Sequence, residues 1–359
     1  MINILHIDTG FTFRGGQRQV SLLLNNLQHL RIRQYLACPE NSPLMNSTTY
    51  AVEKRFPLSK SNFMRFIERS ELRRFIEDHD INIIHAHDSH SHSLATLLAK
   101  RGAPSLVVTR RSSGKIGFGS RTKYRGHNIK FIAISNHIRE QLVSGGVQSD
   151  QIAVINSMID LGRYDYFHRR QDVKPDPLRK TRIVSAGAFD RLKGYHDALK
   201  AIKIVAEKRS DFSYDLYGDG PEKDRLLGDI RKYDLGEIVD LPGWRSEPSE
   251  YLKEADIFIS TSYSEGLNMS IVEAMAAGAA VAATDLAPHR ENVEHEKTGM
   301  LFARGDWETL AASLMRLLDE HELRRTIVAN AREVAEKYDS HTLSRRLFEL
   351  YGEVVAGKL

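Results

Sequence analysis

Two carboxylates eight residues apart, Glu265 and Glu273, frame the segment Glu265-Gly266-Leu267-Asn268-Met269-Ser270-Ile271-Val272-Glu273. The chain continues into Ala274-Met275-Ala276-Ala277-Gly278. Acids beside the amides of a helix start suit a polyol that also carries phosphate. The carboxylates accept from hydroxyls, while the amides and the positive end of the helix dipole hold the anion. A nucleotide-sugar has both groups. Taken alone, the pair more often means two solvated glutamates around an ordinary surface helix. The elements that must position them are legible. Residues 257–262 are an apolar run that reads as a buried strand, a polar turn follows, a small-residue helix stops at Gly278, and 279–284 form a second apolar run. That βαβ unit sets both acids at the carboxyl end of its first strand, where open α/β sheets bind ligands.

Other segments carry chemistry in the same setting. The loop Gly187-Ala188-Phe189-Asp190-Arg191-Leu192-Lys193-Gly194 lies between a strand at 182–185 and a helix from about 195 to 208. Arg191 and Lys193 therefore stand at a phosphate-binding position, where two cations neutralise a leaving diphosphate in place of a metal. Phe13-Arg14-Gly15-Gly16-Gln17 follows the first strand, and glycines there let backbone amides approach a phosphate closely. Tyr217-Gly218-Asp219-Gly220-Pro221 ends another strand and is also a tight-turn sequence in any protein. Trp244 follows a strand-like 238–241 and fits base contact or plain packing equally. His85-Ala86-His87-Asp88-Ser89-His90-Ser91-His92 places several imidazoles at one strand end. With no companion cysteines and no Asp-x-Asp motif, a metal is not expected there.

Strand–helix alternation in both halves predicts parallel, doubly wound sheets. The first half reads as a strand at 3–6, a loop at 9–16 and a helix at 17–30, then strands at 81–86, 105–109 and 131–135. The second adds a strand at 212–218. Residues 160–180, charged and holding Pro175 and Pro177, read as the linker. At 359 residues the chain can build two cores. One cysteine, Cys38, excludes an internal disulfide framework and suits a reducing cytoplasm. No leader-like or bilayer-length apolar stretch is seen. Net charge is +4, yet residues 89–139 hold ten Lys or Arg and no acid. That bias attracts anionic partners, either phosphorylated acceptors or an anionic membrane leaflet. Nucleic acid is not expected, because Phe118, Tyr124 and Phe131 are too sparse for a stacking platform. The helix around Phe63, Phe66, Ile67, Leu72, Phe75 and Ile76 is amphipathic, which fits core packing better than membrane docking.

The string Glu265-Gly266 through Glu273-Ala274-Met275-Ala276 and Gly278, with Val281, Thr284-Asp285 and Thr298-Gly299, closely resembles the donor site of retaining GT-B glycosyltransferases of glycosyltransferase family 4. The resemblance extends over nearly the whole chain. It implies an α/β GT-B fold of two Rossmann-like domains facing across a cleft. Residues 1–165 would be the acceptor side, 178–340 the nucleotide-sugar side, and a final helix within 341–359 would cross back onto the first domain. It implies a nucleotide-diphosphate-sugar as co-substrate, no metal or other cofactor, and a glycan or glycolipid acceptor, anionic on the charge pattern. A bacterial envelope glycan such as a lipopolysaccharide core fits, made at the inner face of the cytoplasmic membrane.

By resemblance Glu273 accepts from the ribose hydroxyls, and Glu265 holds the transferred sugar. Gly266, Leu267, Asn268 and Met269 lie near sugar and phosphate. Arg191 and Lys193 stabilise the diphosphate. Gly187, Gly218 and Gly220 line the nucleotide pocket, and domain closure brings Gly15 and Gly16 to the phosphates. His87, Asp88 and His90 face the acceptor. The chain departs from the pattern at Ala188, where arginine is common, and at Arg110-Arg111, where relatives place a histidine. That arginine pair suggests a phosphate- or carboxylate-bearing acceptor. An epimerase or hydrolase on the same fold and a non-catalytic nucleotide-sugar-binding subunit remain as alternatives. Neither glycine loop completes the Gly-x-Gly-x-x-Gly of a dinucleotide-binding dehydrogenase.

Overall fold

The computed structural model describes residues 1–47, 50–59, 64–99, 104–114, 116–117, 122–126, 128–164 and 179–357. The greater part of the expected linker, the basic residues Lys100, Arg101, Lys115 and Arg121, and Phe63 and Phe118 lie outside them, as do the side chains of Arg65, Phe66 and Ile67. The chain divides into two compact units, Met1–Ile159 with Asp339–Leu359, and Asp160–Tyr338.

The amino-terminal unit holds seven strands: β1 (Ile2–Ile7), β2 (Ile32–Pro39), β3 (Lys54–Leu58), β4 (Ile83–Ala86), β5 (Ser105–Arg110), β6 (Ile129–Ala133) and β7 (Ile152–Val154). They pair in the order β3-β2-β1-β4-β5-β6-β7, with β1 parallel to both β2 and β4. Chain order therefore reverses between β1 and β4. In a parallel sheet that switch point leaves a crevice beyond the carboxyl ends of the two strands. The strands are Ile-, Leu- and Val-rich because helices cover both faces. Helix Ser340–Val355 belongs to this unit, with Leu343, Leu347, Leu350, Tyr351 and Val354 buried against Ile4, Leu23, Leu27 and Ile83. In the helix Met64–Asp78, Leu72 and Ile76 are buried, as core packing requires.

The carboxy-terminal unit has β8 (Thr181–Ala186), β9 (Phe212–Tyr217), β10 (Val239–Asp240), β11 (Ile257–Ser260), β12 (Ala280–Thr284) and β13 (Met300–Phe302), ordered β10-β9-β8-β11-β12-β13. Its switch point lies between β8 and β11, which pair in parallel. The helix Met269–Ala277 is short and packed with small residues. Ile271 to Ala277 are all buried, and Gly278, at φ 82°, ends it in the left-handed conformation that glycine adopts without strain. Strand β11 stops at Ser260, short of the expected 262. Thr261 leaves the ladder because its hydroxyl donates to the Lys193 carbonyl (2.8 Å), tying the two crevice loops together.

Candidate active site

The loops after β8 and β11 meet at the carboxy-terminal switch point. Lys193 Nζ donates to Glu265 Oε1 at 2.6 Å, and the same oxygen accepts from Ser262 Oγ at 2.7 Å. Both side chains of the ion pair are largely buried, 25% exposed for the lysine and 12% for the glutamate. Asp190 sets this geometry by accepting from the Leu192 and Lys193 amides and capping the turn Arg191–Lys193. Gly194 ends that turn at φ 65°, its Cα pressed so close to the Thr261 carbonyl that a Cβ would lie 2.3 Å from the oxygen.

Asn268 precedes the helix Met269–Ala277 in the left-handed region, at φ 57°. Its side-chain amide donates to Ser260 Oγ (2.8 Å) and meets His289 Nε2 (3.1 Å), while His289 Nδ1 meets the Thr284 carbonyl (2.7 Å). A carbonyl can only accept, so Nδ1 carries the proton and Nε2 accepts. Burial lowers the His289 pKa in keeping with a neutral ring. The network holds a strained residue at a helix start that no side chain caps and whose first turn holds no acid. Of its first-turn amides, that of Ile271 donates to the Asn268 carbonyl (3.1 Å), and a helix start with no side-chain cap suits an anion. Leu267 is buried, and Glu273 is 4% exposed, one turn along the helix.

Several expected residues are placed differently from one another. Arg191 does not join Lys193 at Glu265. Its guanidinium, 74% exposed, meets Glu222 at 3.4 Å, a carboxylate shared with Arg225 and His196. Gly218 and Gly220 have a packing cause. A Cβ on Gly218 would lie 2.0 Å from the Gly187 carbonyl, and one on Gly220 would lie 2.6 Å from that of Phe189. Gly187 has φ 153° and would press a Cβ onto the Tyr195 hydroxyl at 2.7 Å. Trp244 is 55% exposed.

The amino-terminal switch point forms a second site, a cavity of about 200 Å³ lined by Asp8, Gly16, Gln17, His87, Thr109 and Arg111, among others. Gly15 and Gly16 open the helix Gly15–Leu27, two residues before the expected start, and a Cβ on either would meet nothing within 4 Å. Asp8 at the end of β1 accepts from the Gly10 amide (2.9 Å) and from Gln17 Nε2 (3.1 Å). Burial and the neighbouring Asp88 raise its pKa, against Gln17, Gly10 and Arg111. Asp88 itself accepts from the Thr9 amide and hydroxyl and from the amides of His90 and Ser91. Oδ1 takes three of these donors and Oδ2 one, so Asp88 caps a helix and anchors the β1 loop while still lining the cavity. Arg110 is likewise committed, donating to Tyr124 Oη (2.6 Å), the Ser112 carbonyl (3.2 Å) and the Gly114 carbonyl (2.9 Å). His90 is exposed and lines a neighbouring apolar hollow with Phe11 and Leu94, away from His87.

Beneath the cavity, ring nitrogens of His6, His85 and His87 lie within 4.8 Å of one another. Most of these nitrogens are hydrogen-bonded, while His6 Nε2 is buried with no partner among the described residues. His6 Nδ1 meets His87 Nε2 (3.0 Å), and His85 meets Tyr351 Oη and Thr109 Oγ1, both at 2.7 Å. Desolvation holds His6 down to about 3 and pushes His85 and His87 well below the usual imidazole value, so all three are neutral. Sequence reading missed Ser262 and His289, and it met Asp8 and His6 without assigning them a role. Only Asp8 carried a signal, an acid at the end of a first strand.

Two family models match adjoining parts of the chain: glycosyltransferase family 4 over residues 13–163 and glycosyl transferases group 1 over residues 168–334. The chain belongs to the group 1 glycosyl transferases. Among relatives of this family, the amylovoran biosynthesis glycosyltransferase AmsK of Erwinia amylovora is 29% identical over 232 residues, 62% of this chain and 56% of that protein. The chain thus spans little more than half the length of the polysaccharide-synthesis relatives it matches. The phosphatidyl-myo-inositol mannosyltransferase of Mycolicibacterium smegmatis is 25% identical over 305 residues, 80% of this chain and 75% of that one. Among solved structures, HepE of Anabaena in complex with UDP-glucose superposes with a TM-score of 0.82 at 18% identity, covering 98% of this chain and all of that one. Both parallel-sheet units have the fold of GT-B glycosyltransferases. Among the described residues no helix is long and apolar enough to cross a membrane.

Proposed function

We propose that this group 1 glycosyl transferase moves a sugar from a nucleotide diphosphate to an acceptor hydroxyl, with retention at the anomeric carbon, in the synthesis of a bacterial envelope polysaccharide. The observation that carries the reading is the Lys193–Glu265 pair at the switch crevice, beside the uncapped start of the helix Met269–Ala277. A fixed carboxylate backed by Ser262 accepts from hydroxyls of the sugar. The ammonium of Lys193 and the helix-start amides meet the charge that develops on the departing diphosphate. Arg191, largely exposed, adds to that charge on release from Glu222, and no metal is needed. The acceptor oxygen bonds to the anomeric carbon as the bond to the diphosphate oxygen breaks. The acceptor proton passes to the diphosphate. Glu273 takes the ribose hydroxyls, and the amides of Gly15 and Gly16 take phosphate. A UDP donor is supported by the HepE complexes and an envelope glycan acceptor by the named relatives.

The test is a thermal-shift series with UDP-, GDP- and ADP-sugars on the wild type and on Glu273→Gln. A ligand that binds only the folded state raises the melting temperature. One nucleotide family should shift the wild type, and the variant should lose the shift. The absence of any shift would remove the donor site. Binding without turnover on any acceptor extract would favour the non-catalytic alternative.

A further inference from the structure

Arg110 and Arg111 line the amino-terminal cavity and Lys123 stands behind its Ser89, and among the described residues none of the three has a carboxylate in direct contact. Arg110 donates to a phenol and two carbonyls. Lys123 donates to the Ser89 carbonyl (2.9 Å) and to the hydroxyls of Ser89 (3.2 Å) and Ser93 (3.1 Å). Arg111, half-buried at the cavity wall, meets His87 Nδ1 at 3.4 Å, and its Nε is buried with no partner among the described residues. Asp8 and Asp88 act on Arg111 only at longer range, and both are hydrogen-bonded elsewhere. His87 and His92, which also line the cavity, are held neutral by burial and add no charge. Burial pulls even the Arg111 guanidinium down to about 10, and Arg110 works with burial to lower Lys123. A half-buried guanidinium with no direct ion pair favours an anion that can approach it. Residues 89–139 contain no acid, and the cavity's own carboxylates, Asp8 and Asp88, act on Arg111 only from a distance.

We infer that this cavity binds the carboxylate or phosphate group of an anionic acceptor sugar, with Arg111 as the residue that selects for it. The inference rests on the glycosyltransferase reading above and names its acceptor class. Arg110 shapes the wall by pinning residues 112–114 and does not contact the anion directly. Arg111 presents its fork to the cavity, the geometry that suits bidentate recognition of a planar carboxylate or a phosphate. Asp8 and Gln17, on the same wall, take the sugar hydroxyls.

The test is a saturation-transfer NMR titration of the full chain with glucuronate, glucose 6-phosphate and glucose at fixed ionic strength, with UDP titrated separately. Each probe is run on the wild type, Arg111→Gln and Arg111→Lys. Both anionic sugars should bind the wild type roughly tenfold more tightly than glucose. Arg111→Gln should abolish that preference and leave UDP affinity within about twofold. Should Arg111→Gln melt early, Arg111→Lys carries the test, with the charge kept, the fork lost and an intermediate preference expected. Three results would overturn the inference: no preference in the wild type, a preference that survives Arg111→Gln, or a loss of UDP affinity equal to that for glucuronate. The last assigns the arginine to the donor diphosphate. Failure of UDP to bind the wild type counts against the donor site alone.

Discussion

The two units solve one topological problem with opposite chemistry. Each has a switch point, a glycine-bearing loop after its first strand and a helix beyond it. In the carboxy-terminal unit the glycines are demanded by the fold, since Gly194, Gly218 and Gly220 let backbone loops touch where no Cβ fits and Gly187 makes room for the Tyr195 hydroxyl. Gly15 and Gly16 face open space. The charges differ as well. One crevice is closed by an ion pair between Lys193 and Glu265, the other is walled by neutral histidines and an arginine without a carboxylate partner. A glycine loop in a sequence thus has two meanings, close backbone packing or ligand approach, and a Cβ placed on each glycine tells them apart.

Substitutions that exploit this difference should have graded effects. Gly218→Ala drives a methyl into a backbone carbonyl that cannot yield, so it should destabilise the fold by about 3 kcal/mol or more, read as a fall in the urea midpoint. Lys193→Met removes the cation from the crevice and, by leaving the largely buried Glu265 unpaired, should also lower the melting temperature. It should lower kcat by roughly 10²–10³-fold, the loss seen when one preorganised donor to a transition-state oxyanion is removed. A drop of less than tenfold would argue that Lys193 only balances Glu265.

Acid should strike the histidine-walled unit first. His6, at about 3, and His92, at about 4, are depressed by burial below the unfolded value near 6.5. Their contribution is whole above pH 6.5 and is lost as pH falls towards those values, because the unfolded chain then binds more protons. Stability should fall by up to about 1.4 kcal/mol per pH unit per histidine in that window. Asp8, raised by burial and Asp88, works in the opposite direction. Hydrogen exchange at pH 4.5 should show residues 1–159 opening before 179–338. The smallest effect is expected at Gly16→Ala. A helix-compatible glycine with free space should gain about 0.5 kcal/mol on replacement, while kcat/KM falls if its amide meets phosphate.

The parallel, doubly wound class was legible because parallel strands are apolar throughout and alternate with helices, as at 182–185 and 257–262, whereas the strand order and the strands β2, β3, β7 and β13 were not. The position of the glutamate pair followed from that alternation. What was not legible is partner choice. Nothing local in Arg191-Leu192-Lys193 tells which cation turns to Glu265, since the answer depends on Glu222 being within reach from another loop. Asp88 reads as a free acid until the amides of His90 and Ser91 and the β1 loop are seen to engage it. Arg110 and Arg111 look interchangeable, yet a strand alternates its sides, so one faces Tyr124 and the other the histidines.

The most direct test is amide hydrogen exchange with and without UDP-glucose, or whichever nucleotide-sugar raises the melting temperature most. The account predicts protection concentrated at residues 187–194 and 261–273, lost in Glu265→Gln for the sugar but kept for free UDP. Protection absent from both loops at saturating ligand would contradict it.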